Sequence, residues 1–199
     1  YFEALRNYKE VLRQKNSLIK QLRSPGSEPK MRDIIEIYDM QLAKYGSEII
    51  KIRREFVEML SEKASKIQNN ISKGRETLEI KYVESVSAEN ILDEIINSRD
   101  KDIYIGHCSI GPHRDDLDFY INGIDAKKFG SQGQQRTVAL SLKLAEIQLA
   151  EMILGENAVL LLDDVLSELD RERQSYLLNE IEDVQLFITS TEVNSELLK

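Results

Sequence analysis

The apolar residues at the start of the chain follow two helical patterns. Residues 2–22 place apolar side chains on one face in steps of three and four, and Lys15 is the only polar break. The segment SPGSEP, residues 24–29, contains two prolines and a glycine, which stop a helix. Steps of four and three then form a heptad seam, typical of a coiled coil. Its members are Met31, Ile35, Tyr38, Leu42, Tyr45, Ile49, Ile52, Phe56 and Met59.

The length of this second helix favours an arm. A helix of about 38 residues spans roughly 57 Å, which is longer than a small domain is wide. We therefore expect residues 1–73 to form a helical hairpin arm that projects from a compact body. A plain helical bundle is the alternative.

The pattern changes after SKG, residues 72–74, which ends the long helix. Residues 78–83 alternate apolar and polar, as a half-buried strand does. Ser87 is a predicted N-cap for a short helix over 88–98. Residues 116–125 alternate again around Asn122-Gly123, a pair suited to a tight hairpin turn.

The last third alternates helices and strands. A long apolar helix is predicted from about 133 to 153, and residues 158–165 form an apolar run that indicates a central strand covered on both faces. A further helix begins at residue 170, and a last strand spans 185–191. This order is typical of an α/β fold, which we assign to residues 74–199.

Charge separates the two predicted domains. Residues 1–73 carry 15 basic against 10 acidic residues, whereas the whole chain has a net charge of −8. The basic surface is either simply solvated or faces a phosphate or a partner. If it faces DNA or a partner, Lys51, Arg53 and Arg54 are the candidate contacts.

Other features of the composition restrict the setting. Cys108 is the only cysteine, so an internal disulfide and a thiol zinc site are excluded, which fits a reducing cytoplasm. We see no membrane-spanning run and no secretion signal, and expect no membrane partner. Because the chain begins inside a periodic pattern without an initiator Met, we expect it to be a fragment of a longer protein.

The segment VLLLDD, residues 159–164, places two adjacent carboxylates at the end of a buried strand. Ligands of open α/β sheets bind at such carboxyl ends. Asp163 is the predicted ligand of Mg²⁺, which resolves the repulsion between the two acids. Asp164 could then orient or deprotonate an attacking water. Two acids that only cap the next helix are the alternative reading.

Two further segments allow both a capping and a ligand-binding interpretation. SQGQQ, residues 131–135, begins the long helix; a serine, backbone amides and a helix dipole together form an anion site, and Gly133 would let a phosphate approach. SELD, residues 167–170, brackets the start of the next helix with Ser167 and Asp170, and alone it is an ordinary capping pattern.

In this order the three segments resemble the ATP-binding cassette superfamily. Gly130-Ser131-Gln132-Gly133-Gln134 stands where transporters have the signature Leu-Ser-Gly-Gly-Gln, VLLLDD looks like a Walker B strand, and SELD looks like a D-loop. GPHRDDLDF, FGSQGQQRTVALSLKLAE and LLLDDVLSELD make the chain most similar to the RecF family of bacterial recombinational repair proteins. The likeness covers essentially the whole chain, as the short arm and the C-terminal ATPase lobe of that family.

The resemblance implies a head that closes around ATP as a homodimer and acts as a clamp on double-stranded or gapped DNA. It implies roles in DNA replication, recombination, repair and the SOS response, with RecO and RecR as partners and loading of recombinase as the outcome. Ser131 and Gly133, with Gln132 and Gln134, would contact ATP held by the partner subunit. Asp163 would hold Mg²⁺ and Asp164 would be the general base, while Ser167, Glu168 and Asp170 would line the dimer seam.

Two departures from the superfamily pattern stand out. No GxxxxGK[ST] occurs, so the Walker A loop and its N-terminal lobe are absent, and we expect this chain alone to be inactive and the whole protein to be a slow ATPase. Where many members have a switch histidine, the chain has Thr189-Ser190-Thr191, which could bind the γ-phosphate. Arg136 either contacts the partner's nucleotide or pairs with an acid.

Alternative functions are a structural, tethering head of the SMC kind and a transporter ATPase subunit. The predicted arm is far shorter than an SMC coil, and the chain has no CxxC zinc hook. Transporter heads lack such an arm. Outside the three motifs, we expect His113 in GPHRDD to be structural rather than catalytic, and Cys108 to be an inert buried thiol.

Overall fold

The computed structural model describes residues 1–23, 30–155, 159–163, 170–180 and 185–189. In these ranges the chain forms seven helices and five strands. The helices are α1 (Phe2–Leu22), α2 (Lys30–Ile71), α3 (Ile91–Asn97), α4 (Arg99–Ile105), α5 (Ala126–Phe129), α6 (Gln132–Leu154) and α7 (Arg171–Glu180). The strands are β1 (Leu78–Val83), β2 (Asp116–Ile121), β3 (Ile124–Asp125), β4 (Val159–Asp163) and β5 (Gln185–Thr189).

The contacts divide the chain into two compact units. Unit 1 consists of residues 1–56 and 82–117, and unit 2 of residues 57–81 and 118–199. Helix α2 contributes to both. These units do not coincide with the ranges 1–73 and 74–199, because the first two helices share a core with the segment after residue 82. A functional division at residue 73 stays a prediction.

Unit 1 has a core built from α1, the first part of α2 and the helices that follow β1. Its buried residues include Tyr8 and Ile19 of α1, Leu42 of α2, and Ile91 and Ile95 of α3. Cys108 lies in the same cluster and is 2% exposed. The buried position of Cys108 agrees with the expectation of an inert thiol, and burial raises the pKa of this thiol to about 11.

Lys15, the polar break in the first pattern, is fully buried. Its ammonium lies 2.6 Å from the carboxylate of Asp39, which is also fully buried, and Arg99 Nε donates to the other Asp39 oxygen at 2.5 Å. A buried charge needs a partner of opposite charge and good geometry. The polar break is therefore one half of an ion pair within the core.

The heptad seam of α2 is correct in its first half only. Ile35, Leu42 and Ile49 are buried as predicted, but Phe56 and Met59 are 38% and 37% exposed. The buried stripe moves by one residue, from Ile49 to Ile50, and continues on different positions, which are Val57, Leu60, Ala64, Ile67 and Ile71. An α-helix drifts relative to a strict heptad, and the shift occurs where α2 passes from unit 1 to unit 2.

The middle of the chain agrees with the sequence except for its helices. The predicted strand over 78–83 is β1, and Asn122 and Gly123 join β2 and β3 with φ of 50° and 78°. Such positive φ values at both turn positions favour Asn-Gly. The predicted helix over 88–98 begins later, at Ile91, because Ser87 accepts the Asn90 N–H in a preceding turn. Helix α4 was not predicted.

Unit 2 carries the α/β order α6, β4, α7, β5. Strands β4 and β5 are parallel, and Asp163 lies opposite Thr189 at their carboxyl ends. The prediction that β4 is covered on both faces is wrong for this chain. Leu160 and Leu162 are buried, whereas Val159 and Leu161 are 56% and 72% exposed, so one face of β4 is open.

Candidate functional site

Ser131 stands immediately before α6 as its N-cap. Its hydroxyl oxygen accepts a hydrogen bond from the Gln134 N–H at 3.2 Å, and the Ser131 N–H donates to Gln134 Oε1 at 3.0 Å. Each residue thus satisfies a backbone amide of the other, which is a capping box. Because the Ser131 oxygen acts as the acceptor, the hydroxyl proton is available for a further acceptor.

Gly130 and Gly133 lie in different surroundings, and only the first is required by close packing. A Cβ atom at Gly130 would lie 2.5 Å from the carbonyl oxygen of Ala126, so the close approach of α5 requires glycine there. A Cβ at Gly133 would meet only the Ser131 hydroxyl, at 4.0 Å. The surface beside Gly133 is therefore open to an incoming group.

The start of α6 is exposed. Ser131, Gln132, Gly133 and Arg136 are exposed, and Gln134 is half-buried. The N–H groups in the first turn of a helix have no partner within the helix, and the dipole makes this end positive. Together with the Ser131 hydroxyl, this end of α6 can bind an anion that is presented from outside the chain.

Asp163 and Thr189 meet at the carboxyl ends of β4 and β5. The Thr189 hydroxyl donates a hydrogen bond to the Asp163 carboxylate, and both residues are exposed. A carboxylate and a hydroxyl at one sheet edge are the oxygen donors that Mg²⁺ takes together with water and phosphate. The pair fits such an ion, although the described residues contain no cluster of three or more metal-ligating side chains.

Asp170 caps helix α7. The Arg173 N–H donates to Asp170 Oδ1 at 3.0 Å, and the Arg173 guanidinium forms an ion pair with the other carboxylate oxygen. Arg173 Nε also donates to the Thr137 hydroxyl of α6 at 2.6 Å. Thr137 is fully buried and donates in turn to the Gly133 carbonyl at 2.7 Å. Within unit 2, the start of α7 is thus linked to the first turn of α6.

A polar cavity of about 670 Å³ lies beside this link in unit 2. Gln134 and Glu76 form part of its wall, and Gln134 Nε2 donates to Glu76 Oε1 at 3.0 Å. The other lining residues are Ser72, Arg75, Asn122, Asp170, Arg171 and Arg173. The cavity therefore combines residues of the predicted signature motif with residues of the predicted D-loop helix.

Several predicted site residues lie outside the described ranges. They are Asp164, Ser167, Glu168, Ser190 and Thr191. The structure brings together Asp163 with Thr189, and Ser131 with Gln134, and their roles toward nucleotide stay predictions.

Known RecF proteins are similar to this chain in both sequence and structure. The chain is 47% and 48% identical over 191 residues to the DNA replication and repair protein RecF of Agathobacter rectalis and of Lachnospira eligens, in each case over 96% of this chain. Over nearly its whole length, this chain is similar to RecF. A scan against protein-family models gives no match.

Solved RecF structures have the same fold. A structure described as the recombination mediator protein RecF-ATP in the RecFOR pathway has a TM-score of 0.86 and 40% identity over 98% of this chain. A second, described as RecF-ATPrS, has a TM-score of 0.84 and 38% identity. The chain spans about half the length of its RecF relatives, 52% of the two curated ones and 54% of the RecF-ATP chain.

The basic residues predicted to contact DNA have different surroundings in this chain. Arg53 Nη1 donates to the Pro112 carbonyl at 2.6 Å, and its Nε donates to the Tyr1 hydroxyl at 3.2 Å. Arg54 forms two hydrogen bonds with Glu84, at 2.7 and 3.0 Å. Lys51 is exposed. Contact of these residues with DNA stays a prediction, but Arg53 and Arg54 also bind within unit 1.

The segment GPHRDD forms a network in unit 1. Tyr8 donates its hydroxyl proton to His113 Nδ1 at 2.8 Å, and His113 Nε2 donates to the Cys108 carbonyl at 3.2 Å. The Asp115 carboxylate accepts from the Tyr82 hydroxyl and from the Ser85 N–H. Burial lowers the pKa of His113. These contacts hold the His113 imidazole within unit 1, and its structural role stays a prediction.

The sequence pattern gave no sign of Glu76, Thr137 or Arg173. Glu76 lies in the loop before β1, far along the chain from Gln134, and loop carboxylates are common. Thr137 lies in a predicted apolar helix, where a threonine hydroxyl commonly bonds the carbonyl four residues earlier and does not indicate a second partner. The only available signal was the [S/T]-x-x-Q capping box of Ser131 and Gln134, which predicts a well-oriented Gln134 but not its second partner.

No helix of the described ranges has the length and apolar character that a membrane crossing requires.

Proposed function

We propose that this chain forms the part of a RecF-type ATPase head that binds the γ-phosphate of ATP held by a second subunit. The observation that carries the proposal is the exposed N-terminus of α6, where Ser131 has a free hydroxyl proton and Gly133 is open to a phosphate. Its anion chemistry is complementary to a polyphosphate. Because this site is exposed, a phosphate held by a second subunit can reach it.

The second element of the proposal is the edge of β4 and β5. Asp163 and Thr189 would hold Mg²⁺, which when bound supplies positive charge to the transferring phosphoryl group. Asp164 would orient or deprotonate the attacking water, and because Asp is one methylene shorter than Glu, slow hydrolysis is expected. Ser190 and Thr191 would add hydroxyls toward the γ-phosphate.

The whole protein would then act as an ATP-dependent homodimer that clamps double-stranded or gapped DNA in the cytoplasm. Ser167, Glu168 and Asp170 would line the seam between the two subunits. RecO and RecR would be the protein partners, and loading of recombinase at gaps would be the outcome. The relatives' names support a role in DNA replication and repair, and the neighbouring RecF-ATP structure supports nucleotide binding.

The signature assignment is tested by Ser131→Arg in the protein at the full length of its family. The larger cationic side chain would occupy the space for the phosphate, so we expect nucleotide-driven dimerisation to be lost in sedimentation experiments with ATP. Ala139→Arg, at an exposed position of the same helix, is the matched control and should dimerise normally. A Ser131→Arg protein that still dimerises with ATP would remove the proposed function.

Hydrolysis is tested separately by Asp164→Asn. This change should prolong the life of the ATP-bound dimer, because the amide cannot accept a proton from water. Isothermal calorimetry on the 199-residue chain alone should detect no micromolar affinity for Mg-ATP, since the chain lacks a Walker A motif.

A further inference from the structure

Gln134 has a second partner behind the signature motif. Its Oε1 accepts the Ser131 N–H at 3.0 Å, while its Nε2 donates to Glu76 Oε1 at 3.0 Å. The amide of Gln134 is therefore fixed at both ends. A side-chain amide fixed at both ends has one orientation, and the capping box depends on that orientation.

The backbone turn after α2 brings Glu76 to this place. Lys73 and Gly74 have φ of 55° and 79°, and the Gly74 N–H donates to the Asn69 carbonyl at 2.8 Å. The Ser72 hydroxyl then accepts the Glu76 N–H at 3.0 Å. Two left-handed residues at a helix end reverse the chain, so Glu76 is held against the last turn of α2.

The other oxygen of Glu76 continues the network into the interior of unit 2. Glu76 Oε2 accepts from Gln68 Nε2 at 2.7 Å, and Gln68 Oε1 accepts from the Ser141 hydroxyl at 2.8 Å. Gln68 and Ser141 are both fully buried. Since buried polar groups are costly when unpaired, this chain of bonds has a defined direction and geometry.

We propose that Glu76 is a positioning residue for the signature motif. Glu76 holds Gln134, and through Gln134 also Ser131, against the C-terminal end of α2. The inference rests on the proposed function of Ser131. Glu76 does not contact the nucleotide in this account. It fixes the capping box so that the Ser131 hydroxyl and the amides of α6 face one direction before a phosphate arrives.

The network makes a distinction between two substitutions at residue 76. Glu76→Ala removes both acceptors, so Gln134 loses its anchor. Glu76→Gln keeps an oxygen that accepts from Gln134. Its new side-chain N–H₂ can donate to Gln68 once the Gln68 amide turns over. The Gln68 N–H₂ then donates to the Ser141 hydroxyl. A hydroxyl can donate or accept, so the inverted chain is also satisfied.

The experiment measures the ATP concentration needed for half-maximal dimerisation of the full-length protein, together with its thermal midpoint. Glu76→Ala should raise that concentration about tenfold, the equivalent of one charge-assisted hydrogen bond, and Glu76→Gln should restore it to within about threefold. Glu79→Ala, at an exposed position of β1, is the matched control and should leave the value unchanged. A merely structural role would lower the thermal midpoint without changing the ATP requirement.

A double-mutant cycle tests whether Glu76 acts through Gln134. In a Gln134→Ala background, Glu76→Ala should have no further effect on the ATP requirement, because the link is already broken. Additive effects, or a normal ATP requirement in Glu76→Ala, would overturn the inference. Ser131→Arg is measured in parallel: if it abolishes dimerisation while Glu76→Ala does nothing, only this inference fails, and if it has no effect, the proposed function fails as well.

Discussion

The two units use buried polar groups for different purposes. In unit 1, Lys15 and Asp39 form an ion pair within the core, and Arg99 donates to the other Asp39 oxygen. In unit 2, the bonds that begin at the buried Ser141 and Gln68 end at Glu76 and Gln134, next to an exposed helix start. The same kind of polar network can therefore stabilise a core or orient a surface site, depending on where the network ends.

The surroundings of each network support this difference. The ion pair of unit 1 lies among apolar residues such as Leu18 and Ile19, which leave it closed to solvent. The network of unit 2 reaches the wall of a polar cavity that also contains Arg173. Loss of the first should therefore affect stability, and loss of the second should affect ligand binding.

The largest effect is expected from Asp39→Ala. The change leaves the buried Lys15 ammonium without its partner, which should lower the free energy of unfolding of unit 1 by about 3–5 kcal/mol. Hydrogen exchange of the α1 and α2 amides in the full-length protein measures this loss. Glu62→Ala, which removes one member of an exposed pair on the same helix, should leave exchange nearly unchanged. If Asp39→Ala and Glu62→Ala accelerate hydrogen exchange equally, the buried network of unit 1 does not stabilise its core.

A smaller effect is expected from Thr137→Val in unit 2. The side chain keeps its volume, but Arg173 Nε loses an acceptor at 2.6 Å, which should cost about 1–3 kcal/mol. Faster exchange of the α7 amides is the expected result. Thr137→Ser retains the hydroxyl and serves as the control; if valine and serine behave alike, the hydroxyl does not hold α7.

Substitutions of Arg53 and Lys51 distinguish a structural role from a DNA-binding role of the basic residues. Arg53→Ala should destabilise unit 1 by about 1–2 kcal/mol, since two hydrogen bonds are lost. Lys51→Ala should leave stability unchanged but weaken DNA binding uniformly across sequences, with the slope of log affinity against log salt reduced by about one. Fluorescence anisotropy at several salt concentrations measures this slope. An unchanged slope in Lys51→Ala favours a solvated surface.

The smallest effect concerns pH. Because burial lowers the pKa of His113, the folded state takes up a proton less readily than the unfolded chain, in which histidine titrates at about 6.5. The stabilising contribution is therefore complete above about pH 6.5 and decreases as the pH falls below it toward the lowered folded pKa.

Thermal midpoints of the wild type and of His113→Asn at pH 7.5 and 5.5 test this expectation. Protonation would interrupt the bond from the Tyr8 hydroxyl to Nδ1, so the midpoint of the wild type should fall more between the two pH values. Other groups that face this imidazole are Arg114, Asp115 and Asp102. A difference of the same size in His113→Asn would assign the pH dependence to another group.

Local patterns predicted most of the secondary structure. The strand over 78–83, the Asn122-Gly123 turn and the long helix α6 follow directly from alternation, turn chemistry and apolar content. The capping box at Ser131 was also recognisable, because its two residues lie three positions apart. Such features depend on neighbours in the sequence, which a pattern records.

Features that depend on distant residues could not be predicted. The pairing of Lys15 with Asp39 requires two helices to meet, and the contact of Gln134 with Glu76 joins residues 58 positions apart. The open face of β4 is equally hidden from a pattern, because an apolar run does not state whether another layer packs on each face of the strand. The shift of the buried stripe in α2 is equally invisible, since both sets of positions carry apolar residues.

The two buried stripes of α2 restrict how this helix can change in length during evolution. A single inserted residue between Leu60 and Ala64 would turn Ile67 and Ile71 about 100° away from the face they now bury. An insertion of seven residues would rotate them by only about 20°. Natural variation in the length of this helix should therefore occur in whole heptads, and single-residue insertions within either stripe should be selected against.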